Sequence, residues 1–428
     1  MKIYLDMVGC RLNQSELEDY ARHFEASGHE LTGDPSQADL AVVNTCSVTV
    51  AAAADSRKMI RRLSREGAGE VVVTGCWSTL EPDAARGLPG VVRLVDNLAK
   101  DQLVADVLEG RELPFQQEPV DRVAVPGARL RTRANIKTQD GCDHRCTYCV
   151  TTLARGRGRS ERVEGVLSRV RSAVRGGAQE VVLTGVQLGS WGKDLPGEVG
   201  LADLVKAVLN QTDVPRIRLS SIEPWDVSPD LIELLPEKRV ARHLHLPLQS
   251  GSDDVLRRMA RPIRTAEYAA LVAEIRMAAP EAAVTTDLIT GFPGETAGDF
   301  QRTVDFVRRM NFADGHVFTY SARPDTPAAE MDGQVDHPVR KERSARLREI
   351  LAESSRQYRS RFLGRTVEVL WESVRGSSQE GWVLSGISDH YLRVEAVSSR
   401  DLRNTLTPVT LTALTSHGLI GEVGAQTD

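Results

Sequence analysis

Six cysteines, Cys10, Cys46, Cys76, Cys142, Cys146 and Cys149, carry most of the chemistry legible in this chain. The last three lie together in Gln139-Asp140-Gly141-Cys142-Asp143-His144-Arg145-Cys146-Thr147-Tyr148-Cys149, a C-x3-C-x2-C spacing. Three thiolates packed this closely can wrap one face of a cubane iron–sulfur cluster and leave its fourth iron without a protein ligand. Zinc is one alternative, but a structural zinc site takes four protein ligands. No fourth thiol is near, and His144 lies inside the loop that must already wrap the metal. Buried, inert cysteines are the other alternative. An iron with no protein ligand is what a bidentate small molecule needs.

Cys10, Cys46 and Cys76 are far apart in sequence, yet each follows a short apolar run: Lys2–Met7, Asp39–Asn44 and Glu70–Thr74. Read as parallel strands of an open doubly wound sheet, these runs end along one edge, where ligand crevices form. Three thiols at one structural phase can then converge on a second cluster, again one ligand short. For any one of them alone, a small residue at a tight strand–helix turn is the plainer reading.

The elements that must position these residues fall into three groups. Up to about residue 110, the apolar runs alternate with amphipathic stretches such as Gln14–Ala26 and Val50–Arg65, which predicts a parallel doubly wound sheet. Leu113–Gly127 reads as a linker. Six further strands are expected at Ala134–Thr138, Glu180–Thr184, Ile217–Ser220, His243–Leu246, Val284–Ile289 and His316–Thr319, separated by helices such as Glu164–Arg175 and Thr265–Ala278. Six strand–helix units predict an open (β/α)6 barrel, with its chemistry at the C-terminal strand ends. Val339–Phe362 reads as one basic helix. After Gly364, Thr366–Trp371, Gly381–Leu384, Tyr391–Val397 and Thr407–Ala413 predict a small antiparallel barrel of five strands. The expected domains are therefore 1–112, 128–358 and 361–424.

Composition bounds the function classes. Hydrophobic residues make up 41% and charged residues 26% of the 428, ordinary for a globular protein. No apolar run is long enough to span a bilayer. Asp6 interrupts any signal-peptide core, so a cytoplasmic protein with no membrane partner is expected. Such a chain rarely uses disulfides, which puts metal ligation or catalysis first for the thiols. Net charge is −5, but Arg122–Arg175 holds thirteen basic against four acidic residues, and Arg340–Arg365 nine against three. Each run is either a solvated face or a surface for a phosphate backbone.

C-x3-C followed by aromatic-Cys, here Tyr148-Cys149, resembles the signature of the radical S-adenosylmethionine superfamily. The resemblance implies that S-adenosylmethionine binds the open iron and is cleaved reductively to a 5′-deoxyadenosyl radical. It also implies cofactor contacts for Tyr148, for Gln187 in Leu183-Thr184-Gly185-Val186-Gln187, and for Gln249 in His245-Leu246-Pro247-Leu248-Gln249. For each polar residue, loop geometry is the competing reading. Gly9-Cys10-Arg11-Leu12-Asn13-Gln14-Ser15-Glu16, Val43-Asn44-Thr45-Cys46 and Thr74-Gly75-Cys76 resemble the N-terminal domain of the methylthiotransferases, and the tail resembles their RNA-binding TRAM domain.

That family resemblance implies two [4Fe–4S] clusters, with sulfur staged and methylated on the N-terminal one. Asn13-Gln14-Ser15-Glu16 and Leu219-Ser220-Ser221-Ile222-Glu223-Pro224 resemble the MtaB-type branch, which acts on N6-threonylcarbamoyladenosine beside the anticodon of tRNA. Glu223 is the candidate for reading the N6 substituent. An electron donor and a sulfur source are implied as further partners. One departure stands out: Val150-Thr151-Thr152 replaces the Ile-Ile-Pro of many relatives, which touches no cluster ligand. The alternatives are a sister methylthiotransferase, acting on isopentenyladenosine or a ribosomal aspartate, and a non-enzymatic RNA-binding protein with structural clusters.

Overall fold

The computed structural model describes residues 1–108, 132–378 and 381–424. The expected linker Leu113–Gly127 and the domain limits at 112 and 128 lie outside the described residues. The chain forms two compact units. The first is Met1–Arg145, Cys149–Gly177 and Thr184–Val199; the second is Cys146–Tyr148, Ala178–Leu183 and Gly200–Asp428.

In the first unit, β1 (Lys2–Met7), β2 (Glu30–Thr32), β3 (Leu40–Thr45), β4 (Glu70–Gly75) and β5 (Val91–Val95) form a parallel sheet in the order β2-β1-β3-β4-β5. Every residue of β3 is buried, as expected of a strand covered on both faces. Helix Arg11–Ala26 lays Leu17, Tyr20 and Phe24 against Ile3, Leu5 and Val42 on one face. Helix Val50–Glu66 lays Ala53, Ile60 and Leu63 against Tyr4, Val43 and Val71 on the other. The winding reverses between β1 and β3, and such switch points are where open α/β sheets bind ligands. β2 and β5 are edge strands that the apolar runs did not reveal; β5 leaves Val92 and Arg93 exposed. The unit also holds β6 (Arg133–Lys137) and the short antiparallel pair of β7 (Gln139–Asp140) with β8 (Arg159–Ser160).

In the second unit, β9 (Glu180–Thr184), β10 (Arg216–Leu219), β11 (His243–His245), β12 (Ala283–Thr290) and β13 (Asp314–Thr319) run parallel. β10 joins β11 through the Ser221–His245 bridge. With β6 these are the six strands expected from sequence, within two residues at each end. Among the described residues β13 pairs only with β12, so the barrel is open. The following helix is His337–Ser360. It begins two residues earlier than expected because Pro338 suits the first turn, where an amide hydrogen has no partner to lose.

Strands β14 (Thr366–Ser378), β15 (Gly381–Ser388), β16 (Arg393–Ser398), β17 (Leu406–Leu414) and β18 (Leu419–Val423) close a barrel ordered β14-β15-β16-β18-β17. One pairing departs from the expected antiparallel pattern: β16 and β18 are parallel. Val369, Trp371, Leu384, Val394, Val409 and Leu411 fill its core. This small barrel is seated on the N-terminal ends of the parallel strands. Ala283 at the start of β12 and Ala313 just before β13 belong to its apolar cluster, and His243 at the start of β11 stacks on Tyr391 at 4.1 Å. Arg216 and Arg218 share the buried carboxylate of Glu180 at 2.6 and 2.7 Å. They also donate to the carbonyls of Ile387, Ser388 and Asp389.

The basic helix His337–Ser360 is less available than its composition suggested. Arg340 donates to the Tyr320 carbonyl, Arg343 pairs with Glu295, and Arg348 donates to the Val317 carbonyl. These arginines tie the helix to the parallel barrel.

Candidate metal centre and active site

The parallel register brings the first three cysteines to neighbouring strand ends. β3 and β4 pair up to Thr45 and Gly75, so Cys46 and Cys76 follow side by side, and Cys10 follows β1 on the next strand. Cys10 is exposed; Cys46 and Cys76 are buried. Two glycines make this approach possible. Gly75 holds φ +99°, and a Cβ there would lie 2.4 Å from the Thr45 carbonyl oxygen. Gly9 holds φ +125°, and its Cβ would lie 2.7 Å from Cys46 Cβ. Burial pushes the Cys46 thiol up to about 11, so metal loading must displace that proton. Among the described residues no three His, Cys, Asp or Glu side chains close around a single ion. The donor set, three thiols on adjacent strand ends, fits a cluster body, which spreads its ligands wider than one ion does.

Beside this triad lies a buried charge network that sequence spacing did not predict. Arg155, six residues after Cys149, is 2% exposed. Its guanidinium donates to Cys76 Sγ at 3.3 Å, Glu16 Oε1 at 3.1 Å, Asp140 Oδ1 at 2.9 Å and Asn13 Oδ1 at 2.8 Å. Lys100 pairs with Glu16 at 2.5 Å and Asp140 at 2.9 Å, and Lys137 reaches both carboxylates. Burial alone would raise the Glu16 pKa, but Arg155, Lys100 and Lys137 outweigh it and hold Glu16 at about 2. Asp140 is held well below the usual carboxylate range by the same cations, again against burial. The only sequence signal was adjacency: Asp140 stands two residues before Cys142, and Glu16 six after Cys10.

The second group of cysteines lies on the loop between β7 and helix Thr151–Arg155. Gly141, at φ +72°, starts it where a Cβ would strike the Arg157 carbonyl. Cys142 N donates to the Gly156 carbonyl at 3.0 Å, and Cys149 Sγ accepts from Thr151 N at 3.4 Å. Gln187 is buried, its amide donating to Gln139 Oε1 at 2.8 Å and its side chain meeting Cys142 Sγ at 3.2 Å. Within the first unit, Cys142 and Cys149 are thiols that could hold iron, and the Gln187 side chain beside Cys142 would supply polarity next to such a sulfur.

In the second unit, Tyr148 and Glu223 meet around a residue that spacing missed, Arg261. Glu223 Oε2 pairs with Arg261 Nη2 at 2.6 Å, and Arg261 Nη1 reaches Tyr148 Oη at 3.4 Å. Arg261 also lies 4.7 Å over the Trp225 ring. Burial disfavours its charge, but Glu223 and Tyr148 more than offset this and keep it protonated. The Tyr148 ring meets Phe292 edge-on at 6.3 Å. Gln249 stands apart from that cluster at φ +72°, exchanging backbone hydrogen bonds with Asp287 and Ile289 of β12. A left-handed conformation at a non-glycine residue costs about 1–3 kcal/mol, which these backbone hydrogen bonds help to hold.

Comparison with known proteins agrees with this geometry. A family model described as the Radical SAM superfamily matches residues 136–307, and one described as Uncharacterized protein family UPF0004 matches 2–95. The chain is 37% identical to "Threonylcarbamoyladenosine tRNA methylthiotransferase MtaB" of Thermotoga maritima, covering 93% of this chain and 92% of that protein. The chain belongs to the methylthiotransferase family of radical SAM enzymes. The protein of the same name from Bacillus subtilis is 34% identical, over 92% of this chain and 90% of its own. "tRNA-2-methylthio-N(6)-dimethylallyladenosine synthase" of Geobacter metallireducens is 32% identical over 98% of both. Among solved structures, the radical S-adenosylmethionine methyltransferase TsrM of Kitasatospora setae superposes with a TM-score of 0.59 at 17% identity, covering 77% of this chain and 75% of that one. That likeness concerns fold alone. Membership brings S-adenosylmethionine and a [4Fe–4S] cluster to this methylthiotransferase. No helix among the described residues is long and apolar enough to cross a membrane.

Proposed function

We propose that this methylthiotransferase transfers a methylthio group to C2 of N6-threonylcarbamoyladenosine next to the anticodon of tRNA, using two [4Fe–4S] clusters. The observation that carries the reading is the near full-length likeness to relatives named for that substrate, at 34–37% identity. Relatives named for dimethylallyladenosine, the sister reading, fall at 31–33%. The non-enzymatic reading is disfavoured by two thiol triads, each one ligand short of a closed cluster.

In this proposal Cys142, Cys146 and Cys149 hold the barrel cluster, and Cys10, Cys46 and Cys76 hold the sulfur-bearing one. S-adenosylmethionine bound at the barrel cluster would supply the radical chemistry that the reaction at the substrate carbon needs. Gln187 orients the Cys142 side of that site, and Tyr148 and Gln249 line the cofactor's approach. Arg261 fixes Glu223 and Tyr148, so Glu223 faces the substrate as one half of an ion pair. Domains 1–112, 128–358 and 361–424 divide the labour between sulfur, radical and RNA. A groove of about 730 Å³ sets Arg348, Arg359, Arg375, Arg393 and His417 beside Asp314 and Glu395, five basic side chains against two acidic, and is our candidate surface for a phosphate backbone of the anticodon stem-loop. The protein works in the cytoplasm with a separate electron donor and sulfur source.

The test is nucleoside mass spectrometry of tRNA from a deletion strain. The 2-methylthio form of threonylcarbamoyladenosine should vanish while its precursor accumulates. Loss of the isopentenyladenosine product instead would establish the sister reading, and an unchanged nucleoside profile would leave only an RNA-binding role.

A further inference from the structure

Strand β13 turns two unlike side chains to the inner wall of the parallel barrel. Its other face belongs to helix His337–Ser360: a Cβ on Gly315 would lie 3.1 Å from Leu351 Cδ1, and Val317 is buried. Side chains alternate along a strand, so His316 and Phe318 face inward. Both are open to solvent there, the His316 side chain 70% exposed and Phe318 46%. Their rings lie 6.2 Å apart.

His316 is also held from behind. Asp287, its register partner on β12, accepts from His316 Nδ1 at 3.2 Å and faces His245 Nε2 at 3.3 Å. Thr285 Oγ1 lies 2.9 Å from both His245 Nδ1 and His243 Nε2. The hydrogens can run one way along this chain. His243 Nε2–H donates to Thr285, Thr285 O–H to His245 Nδ1, and His245 Nε2–H to Asp287. The carboxylate is thus oriented by one imidazole and presented to the other, and it holds the His316 ring by its Nδ1 edge. Asp287 itself is pulled well below the usual range by both histidines, against the effect of burial.

We propose that His316, oriented by Asp287 and flanked by Phe318, reads the carboxylate of the threonylcarbamoyl substituent. The inference rests on the substrate reading above. That substituent carries a carboxylate and a methyl group a few bonds apart; the imidazole ring, as a hydrogen-bond donor, matches the first and the phenyl ring the second. Two arginines at the same strand ends are engaged elsewhere: Arg261 pairs with Glu223 and Arg340 donates to the Tyr320 carbonyl. A dimethylallyl group would lay hydrocarbon over the His316 imidazole and offer it no acceptor, which a site built to donate to a carboxylate rejects.

The experiment uses the full-length, anaerobically reconstituted protein and anticodon stem-loop RNAs carrying threonylcarbamoyladenosine or its carboxylate methyl ester. Kd is measured by anisotropy without S-adenosylmethionine, and kcat/KM with it. The wild type should favour the acid over the ester by about tenfold to a hundredfold, the worth of a charge-assisted hydrogen bond. His316→Ala should bring the ratio of acid to ester to within about twofold, acting through Kd and KM rather than kcat. Asp287→Asn should narrow the ratio, and His316→Gln, which keeps a donor, should restore part of it. Iron content should stay at the wild-type level in all three. A wild type that treats acid and ester alike, or a His316→Ala protein that keeps the preference, overturns the inference. A wild type that converts neither RNA, yet converts isopentenyladenosine RNA, overturns the substrate reading instead.

Discussion

Arg155 satisfies four acceptors at once, and what it holds are groups from distant parts of the sequence: Asn13, Glu16, Cys76 and Asp140. A buried guanidinium is tolerated only where carboxylates neutralise it and its donors are filled. The cysteines were legible because thiol spacing is a local pattern. This network was not, since its members share only a place in the fold. It makes stability acid-sensitive. Glu16 titrates at about 2 in the fold, against an ordinary 4.5. Its folded pKa is depressed, so the stabilisation is complete above about 4.5 and drains away as pH falls towards about 2. Urea midpoints taken from about pH 6 to about pH 3 should therefore fall steeply for the wild type. Glu16→Gln should start lower and fall less; equal slopes would remove Glu16 from the acid response.

Among the elements, the β1, β3 and β4 turns do the positioning. Lys2–Met7 and its partners read correctly from sequence because buried parallel strands are continuous apolar runs. The edge strands β2 and β5 escaped, being short or half polar, and so did β18, hidden behind a polar turn. Their absence left the strand order open, and with it the adjacency of the three cysteine turns. Gly75 is the most sensitive position in these turns. Alanine there meets both a left-handed backbone and the Thr45 carbonyl, which together cost about 1–3 kcal/mol or more. If the proposed pair of four-iron clusters is present, Gly75→Ala should lose roughly half the reconstituted iron, the share of the N-terminal one. It should still cleave S-adenosylmethionine. Full iron content in this variant would detach the turn from the cluster.

At the scale of the molecule, the small barrel is structural as well as an RNA-binding candidate. An expected domain at 361–424 implies a tail separable from the parallel barrel. The structure argues otherwise: Tyr358, Phe362, Ala283 and Ala313 share its apolar cluster, and Arg216 and Arg218 need its carbonyls. Cutting before Arg361 would uncover apolar surface and strand two buried cations, so insolubility is the expected result. RNA affinity is better tested by Arg375→Ala and Arg393→Ala, both in the groove. Every phosphate that goes unneutralised should flatten the dependence of log Kd on log salt by about 0.7–0.9. An unchanged slope would move RNA binding to the basic run Arg122–Arg175. Charge runs in sequence could not make this distinction, because many of the arginines in question hold the fold together.

Seating the small barrel on strand N-termini, with the substrate mouth at the opposite ends, turns the parallel sheet into a spacer of fixed length. β12 alone, eight residues long, spans about 26 Å at 3.3 Å per residue. On the proposed function, an RNA gripped at one end and modified at the other would be measured as well as read. The permitted base is then the one lying at the right reach from the stem, so a loop of correct sequence on a stem lengthened by one base pair presents the wrong nucleoside.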